Sequence, residues 1–127
     1  MRKKIVITSF FFFMTALFLS AQQNKQFVKS YTKALSKIYD DESSEWDVIQ
    51  RSDLKNTFVF NYNKGNDIKV YFSNGEEEIL TTVSKVERCD DSQCIGILSE
   101  KGDEGVLCLI NGDVLLIYGK LAILYYN

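Results

Sequence analysis

The chain contains no histidine and no proline, and it has only three cysteines and one tryptophan. Without histidine there is no Ser-His or Cys-His nucleophile pair, and the commonest general acid/base and the commonest zinc and iron ligand are missing too. Without proline there is no proline-rich linker. Basic runs are also scarce outside the first four residues. These absences argue against an enzyme of familiar type and against any cofactor.

The N-terminus carries an address. Arg2, Lys3 and Lys4 precede an apolar run from Ile5 to Leu19, and Ser20-Ala21 supply small residues before Gln22-Gln23-Asn24. This is the pattern of a cleavable secretory signal over residues 1–21, similar to bacterial export signals, with Ala21 the expected last residue removed. Leu19 is large for its place in the cleavage motif, which leaves the exact site less defined than the signal. The alternative is an uncleaved anchor, but the run is shorter than the roughly 20 apolar residues of a spanning helix. No cysteine stands at the cleavage point to take a lipid. The expected location is periplasmic or extracellular, with no membrane span after cleavage.

Removing 21 of the 127 residues leaves 106, the size of one domain. Taking Arg2, Lys3 and Lys4 from the 15 basic residues leaves 12 against 17 acidic ones, a charge of −5. An acidic domain without a basic patch is a poor partner for nucleic acid or anionic lipid.

Phe27, Tyr31, Ala34, Leu35 and Ile38 recur at spacings of three and four, with Lys25, Lys29, Lys33 and Lys37 between them. The spacing predicts an amphipathic helix over 22–40. The polar, acidic DDESSE at 40–45 reads as a connector that closes this 22–45 unit, and Trp46–Gln50 as a short strand. From 46 to 127 the pattern is that of an antiparallel meander. A three-residue loop at 64–66 would set Phe60 opposite Val70 and Phe58 opposite Phe72. A two-residue Asn74-Gly75 turn would set Val70 opposite Ile79. The alternation slips near Ser84 and Lys85, where a bulge is expected.

Asn111-Gly112 and Gly119-Lys120 read as two-residue turns joining the last three strands. One face then collects Leu107, Leu109, Val114, Leu116, Ile123 and Tyr125. The other collects Val106, Cys108, Ile110, Leu115, Ile117, Leu124 and Tyr126. Two apolar faces call for cover on both sides. The expected fold is therefore α+β and mainly β. The helix packs on a curved meander of about six to eight short strands, which either stays open or closes into a small barrel. An outer-membrane barrel would need strands of about 9–11 residues, longer than these.

The CDDSQC stretch at 89–94 is the one that looks like chemistry. Its cysteines flank four polar residues between two expected strands, so a Cys89–Cys94 disulfide across the hairpin end is the reading for an exported protein. A redox dithiol would show C-x-x-C. A zinc site needs four ligands, and only Cys108, Asp90 and Asp91 could be added. Cys108 is expected to be the odd cysteine, buried in its strand. The acidic clusters at 40–45 and 76–78 lack calcium-loop spacing and read as solvated turns. Nothing sets two carboxylates across a cleft as glycoside hydrolysis needs.

Phe58, Phe60, Tyr62, Val70, Phe72 and Ile79 form a core or, alternatively, line a ligand pocket. The functional expectation is a small exported, non-enzymatic binding module, inhibitor-like or envelope-associated, with a protein partner. The alternative is a carrier of a small hydrophobic ligand in the curved sheet. Both monomer and homodimer suit the doubly apolar strands.

Overall fold

A computed structural model of the chain describes residues 25–84, 87–89 and 91–127. The expected signal and residues 22–24 lie outside them. The described chain is a curled antiparallel sheet forming a half-barrel. Its strands are β1 (Phe27–Tyr31), β2 (Lys33–Asp40), β3 (Glu45–Ser52), β4 (Asn56–Phe60), β5 (Ile68–Tyr71), β6 (Glu77–Thr82), β7 (Glu87–Cys89), β8 (Ser92–Leu98), β9 (Glu104–Ile110), β10 (Asp113–Tyr118) and β11 (Leu121–Tyr126). Ten of them follow one hydrogen-bonded path, β1-β4-β5-β6-β8-β9-β10-β11-β2-β3, and β7 pairs with β8 beside it.

The expected helix is absent among the described residues, since 27–40 form β1 and β2. Apolar groups at spacings of three and four also arise in a strand that is apolar on both sides. In β2, Ala34 and Ser36 lie opposite Tyr125 and Ile123, while Leu35 and Lys37 lie opposite Leu124 and Ala122. Aromatic and β-branched residues (Phe27, Val28, Tyr31, Ile38, Tyr39) favour the extended form. Lysines early in the segment would also oppose a helix dipole.

β1 and β2 form one long strand bent at Thr32. β3 and β4 return along it, with Ala34 opposite Ser52 and Tyr31 opposite Asn56. This hairpin ties the two ends of the sheet together, because its β4 limb pairs with β5 and its β2 limb with β11. Asn127 holds the bend. Its Oδ1 accepts the Thr32 N–H at 3.0 Å, and its Nδ2 donates to the Ser30 carbonyl at 3.3 Å.

The last three strands have the expected register. Ile110 faces Asp113 across Asn111-Gly112, and Tyr118 faces Leu121 across Gly119-Lys120. Positive φ at Asn111 (52°) and Gly112 (88°) provides the turn twist that matches paired strands. The face bearing Leu107, Val114, Leu116 and Tyr125 is the core. What covers it is the opposite wall of the half-barrel: Phe58 is fully buried, with its ring 4.9 Å from that of Tyr125 and 6.0 Å from that of Tyr31. The other face is outward. Cys108 and Ala122 are buried in it by their neighbours, whereas Val106 is 39% exposed.

Two expected registers move. Phe58 lies opposite Val70, two residues from the expectation, because the loop is longer than three residues. Asn63 Oδ1 accepts the N–H groups of Gly65 and Asp67, and Tyr62 N–H bonds the Asp67 carbonyl. A shift of two keeps every residue on its face. At Asn74-Gly75 the shift is one. Gly75 N–H and Phe72 N–H bond Phe72 and Glu76 carbonyls, so the loop holds three residues with Gly75 at φ 92°. Val70 therefore faces Glu78, Ile79 faces Lys69 on the other side, and Leu80 enters the core. The bulge expected near Ser84 and Lys85 falls partly outside the described residues, and the pairing on its two sides differs in spacing. Four residues separate Thr82 from Glu87, while only Ile95 and Gly96 separate their partners Ile97 and Cys94.

Gly105 lies where two strands close in. A Cβ there would sit 2.6 Å from the Ile117 carbonyl oxygen and 2.7 Å from the Tyr118 ring. Gly105→Ala is expected to lower stability by about 1–3 kcal/mol, the usual cost of overpacking, and a urea titration measures it.

Burial raises the phenol pKa of Tyr31, Tyr118 and Tyr125 to about 12, with Asp113 adding to the first and Glu78 to the other two. In the unfolded chain these phenols ionise near pH 10. The unfolded state thus loses protons first, and the stability held below pH 10 falls as pH rises towards 12. Denaturant midpoints are expected to be flat from pH 8 to 9.5 and to drop steeply above, together with tyrosinate absorbance.

Candidate functional site

The disulfide differs from the expectation. Cys94 bonds to Cys108, with Cα atoms 4.1 Å apart and a sequence separation of 14. The register explains the choice. Ser99 N–H bonds the Asp103 carbonyl and Gly102 N–H the Ser99 carbonyl, with Gly102 at φ 92°. That turn brings Cys94 directly opposite Cys108. Cys89 instead lies opposite Ser92, so only two residues stand in its turn. The Cys89–Cys94 pairing is therefore corrected, and Cys108 is not the odd cysteine. The signal that could have found the bond is Gly102, whose position in SEKGD specifies a three-residue hairpin loop.

A cavity of about 160 Å³ opens at one end of the half-barrel, lined by Phe27, Phe60, Ile68, Ile95, Leu107 and Leu109, with Asn61, Asn66, Gln93 and Cys94. Phe27 stacks on Phe60 at 4.7 Å and is itself 38% exposed. Asn61, at positive φ, donates through Nδ2 to the Lys25 carbonyl and so ties the residues just before β1 to this wall.

Of the six aromatic and aliphatic residues singled out in the sequence, only Phe60 lines this space. Phe58 and Val70 are core, and Phe72 packs against the core. Tyr62 and Ile79 lie by Lys69. That ammonium is 3.1 Å from Glu77, 3.4 Å from the Tyr62 hydroxyl and 5.0 Å above the Tyr62 and Tyr71 rings. Glu77, then Tyr62 and Tyr71, hold it protonated well above the ordinary lysine range.

The acidic clusters serve turns and local pairs. Asp40 Oδ1 accepts the Glu42 N–H, Asp41 pairs with Lys120, and Glu78 Oε2 accepts the Glu100 N–H. Among the described residues no three His, Cys, Asp or Glu side chains gather as a metal site requires.

Strand β3 is the feature that sequence reasoning undervalued. Seven of its eight residues are exposed, including Trp46 at 41%, Val48 at 44% and Ile49 at 55%. It ends the strand path, so only one of its edges is paired among the described residues. Trp46 packs edge-on against Tyr39 at 5.3 Å, which holds the indole against the outer face. Compared with known proteins, the chain matches no family model, no curated protein and no solved structure.

Proposed function

We propose that the chain is a small, exported, non-enzymatic binding module that acts through its β2–β3 hairpin. The observation that carries this reading is the open β3 edge bearing exposed Trp46, Val48 and Ile49. An edge strand offers unpaired main-chain donors and acceptors, and exposed apolar groups beside it favour a protein partner. The Cys94–Cys108 bond is compatible with an oxidising compartment, as export through residues 1–21 would supply. A photo-crosslinking residue placed at position 46, in protein exported through its own signal, tests the reading. Adducts from position 46 but not from position 101, on the Ser99–Asp103 turn, support it. Equal yields from both positions, or none, would sink it.

The second reading is a carrier of a small hydrophobic ligand, and the cavity favours it. Ligand pockets are generally about 300–1,000 Å³, whereas an apolar cavity of about 150 Å³ takes benzene. At about 160 Å³ the space suits one ring rather than a lipid. Native mass spectrometry of the exported protein is expected to show a ring-sized added mass if this reading holds. An empty protein that also gains no thermal stability from benzene counts against it.

A further inference from the structure

We propose that β3 pairs with β3 of a second copy, antiparallel about a two-fold axis, so that one half-barrel sheet continues into the next. This deepens the binding-module reading by naming the partner, and it rests on the same open edge. β3 is the longer of the two strands that end the path, eight residues against five in β1.

Its own sequence supplies the complement. The first half of EWDVIQRS carries Glu45 and Asp47, and the second half carries Arg51. None of the three forms an ion pair with a described residue. A parallel arrangement would set Glu45 beside Glu45 and Asp47 beside Asp47, which like-charge pairing penalises. An antiparallel one runs the acidic half of each strand along the basic half of the other.

The bulge then selects the register. Lys37 faces Val48 and Ser36 faces Gln50, which leaves Ile49 as an extra residue in β3. Alternation therefore reverses there. Trp46, Val48 and Arg51 share the outer side with Tyr39, Lys37 and Leu35, while Asp47 and Gln50 share the inner side with Ile38 and Ser36. Directly opposed residues in a ladder point to the same face. Of the antiparallel registers that obey this, the one with the most matched pairs centres on Val48 and Ile49: it sets Trp46 of each copy opposite Arg51 of the other, Asp47 opposite Gln50 and Glu45 opposite Ser52. Indole and guanidinium are well matched as a cation–π pair, and the two-fold axis makes the contact twice. An open edge this apolar also invites non-specific pairing. The charge order and the bulge favour one self-complementary arrangement among these pairings.

Sedimentation velocity of the exported protein over a concentration series tests this. The wild type is expected to reach twice the monomer mass, and Arg51→Glu to weaken the dimer at least tenfold. Adding Glu45→Lys and Asp47→Lys to Arg51→Glu inverts the charge order, keeps it complementary, and is expected to recover part of the loss. Circular dichroism of each variant confirms that the sheet is retained. A wild type that stays monomeric at every concentration would overturn the proposal, as would a dimer indifferent to Arg51→Glu. Adducts from position 46 to a different protein on a monomeric chain would overturn self-pairing alone and leave the binding-module reading standing.

Discussion

Phe58→Ala is expected to lower the unfolding free energy by about 3–5 kcal/mol, the range for deleting a buried phenyl ring. The side chain is fully buried and lies within ring-contact distance of Tyr31, Phe60 and Tyr125. Those three come from β1, β4 and β11, so the ring joins both walls of the half-barrel. Its loss leaves a cavity that neither wall can fill by moving alone. For a domain of this size each kcal/mol corresponds to about 4–8 °C in Tm, and marginal proteins have only about 5–15 kcal/mol in total. Phe27→Ala is the internal comparison. That ring is stacked on Phe60 but 38% exposed, so its removal is expected to cost clearly less. Thermal melts of the two variants side by side check the ordering, and a Phe27 effect equal to that of Phe58 would refute it.

Removing the Cys94–Cys108 bond is expected to cost about 3 kcal/mol, the chain-entropy value for a loop of this length. The paired change Cys94→Ala with Cys108→Ala keeps an apolar surface at the buried Cys108 site and isolates the bond. Cys89→Ser is expected to leave the stability near that of the wild type. The connectivity itself is directly readable. Trypsin cleavage after Arg88, Lys101 and Lys120 places Cys89 and Cys94 on peptide 89–101 and Cys108 on peptide 102–120. Without reductant the two peptides are expected to run as one linked species, and to remain linked in the Cys89→Ser protein. Separate peptides would mean that Cys108 is bonded to neither Cys89 nor Cys94.

Legibility followed the turns. Asn111-Gly112 and Gly119-Lys120 specify two-residue loops, and the faces of β9 to β11 follow residue by residue. Asn74-Gly75 has the same letters yet makes a three-residue loop, which moved Ile79 out of the core and Leu80 into it. The dipeptide gives positive φ but does not say whether one or two residues use it. In 27–40 the difficulty was of another kind. In β2 only Ala34 is buried; Ser36 on the inner face and Leu35, Lys37 and Tyr39 on the outer one are half-buried alike, and inner Ile38 is exposed, so no two-residue period survives in its pattern. Its extended form depends on β11, residues distant in the chain. The cavity was illegible for a similar reason. Phe27, Ile68, Ile95 and Leu109 meet only after the half-barrel has curled. Trp46–Gln50 reads as a strand within β3, but exposure depends on what fails to cover it, and local sequence does not contain that.

The seam between β2 and β11 pairs Leu35 with Leu124. A chain made from its N-terminus therefore releases its longest bent strand well before that strand's partner exists. β9, β10 and β11 are joined by tight turns and have what they need to form early as a local meander. The arch from Phe27 to Phe60 can assemble as a hairpin on its own, but it docks on one side only after residue 121 has emerged. Such distant pairing makes closure slow, on the order of milliseconds to seconds for sheets dominated by non-local contacts. During that interval β2 waits with its β11-facing edge unpaired, and any chaperone that accompanies the nascent chain would find its best target there.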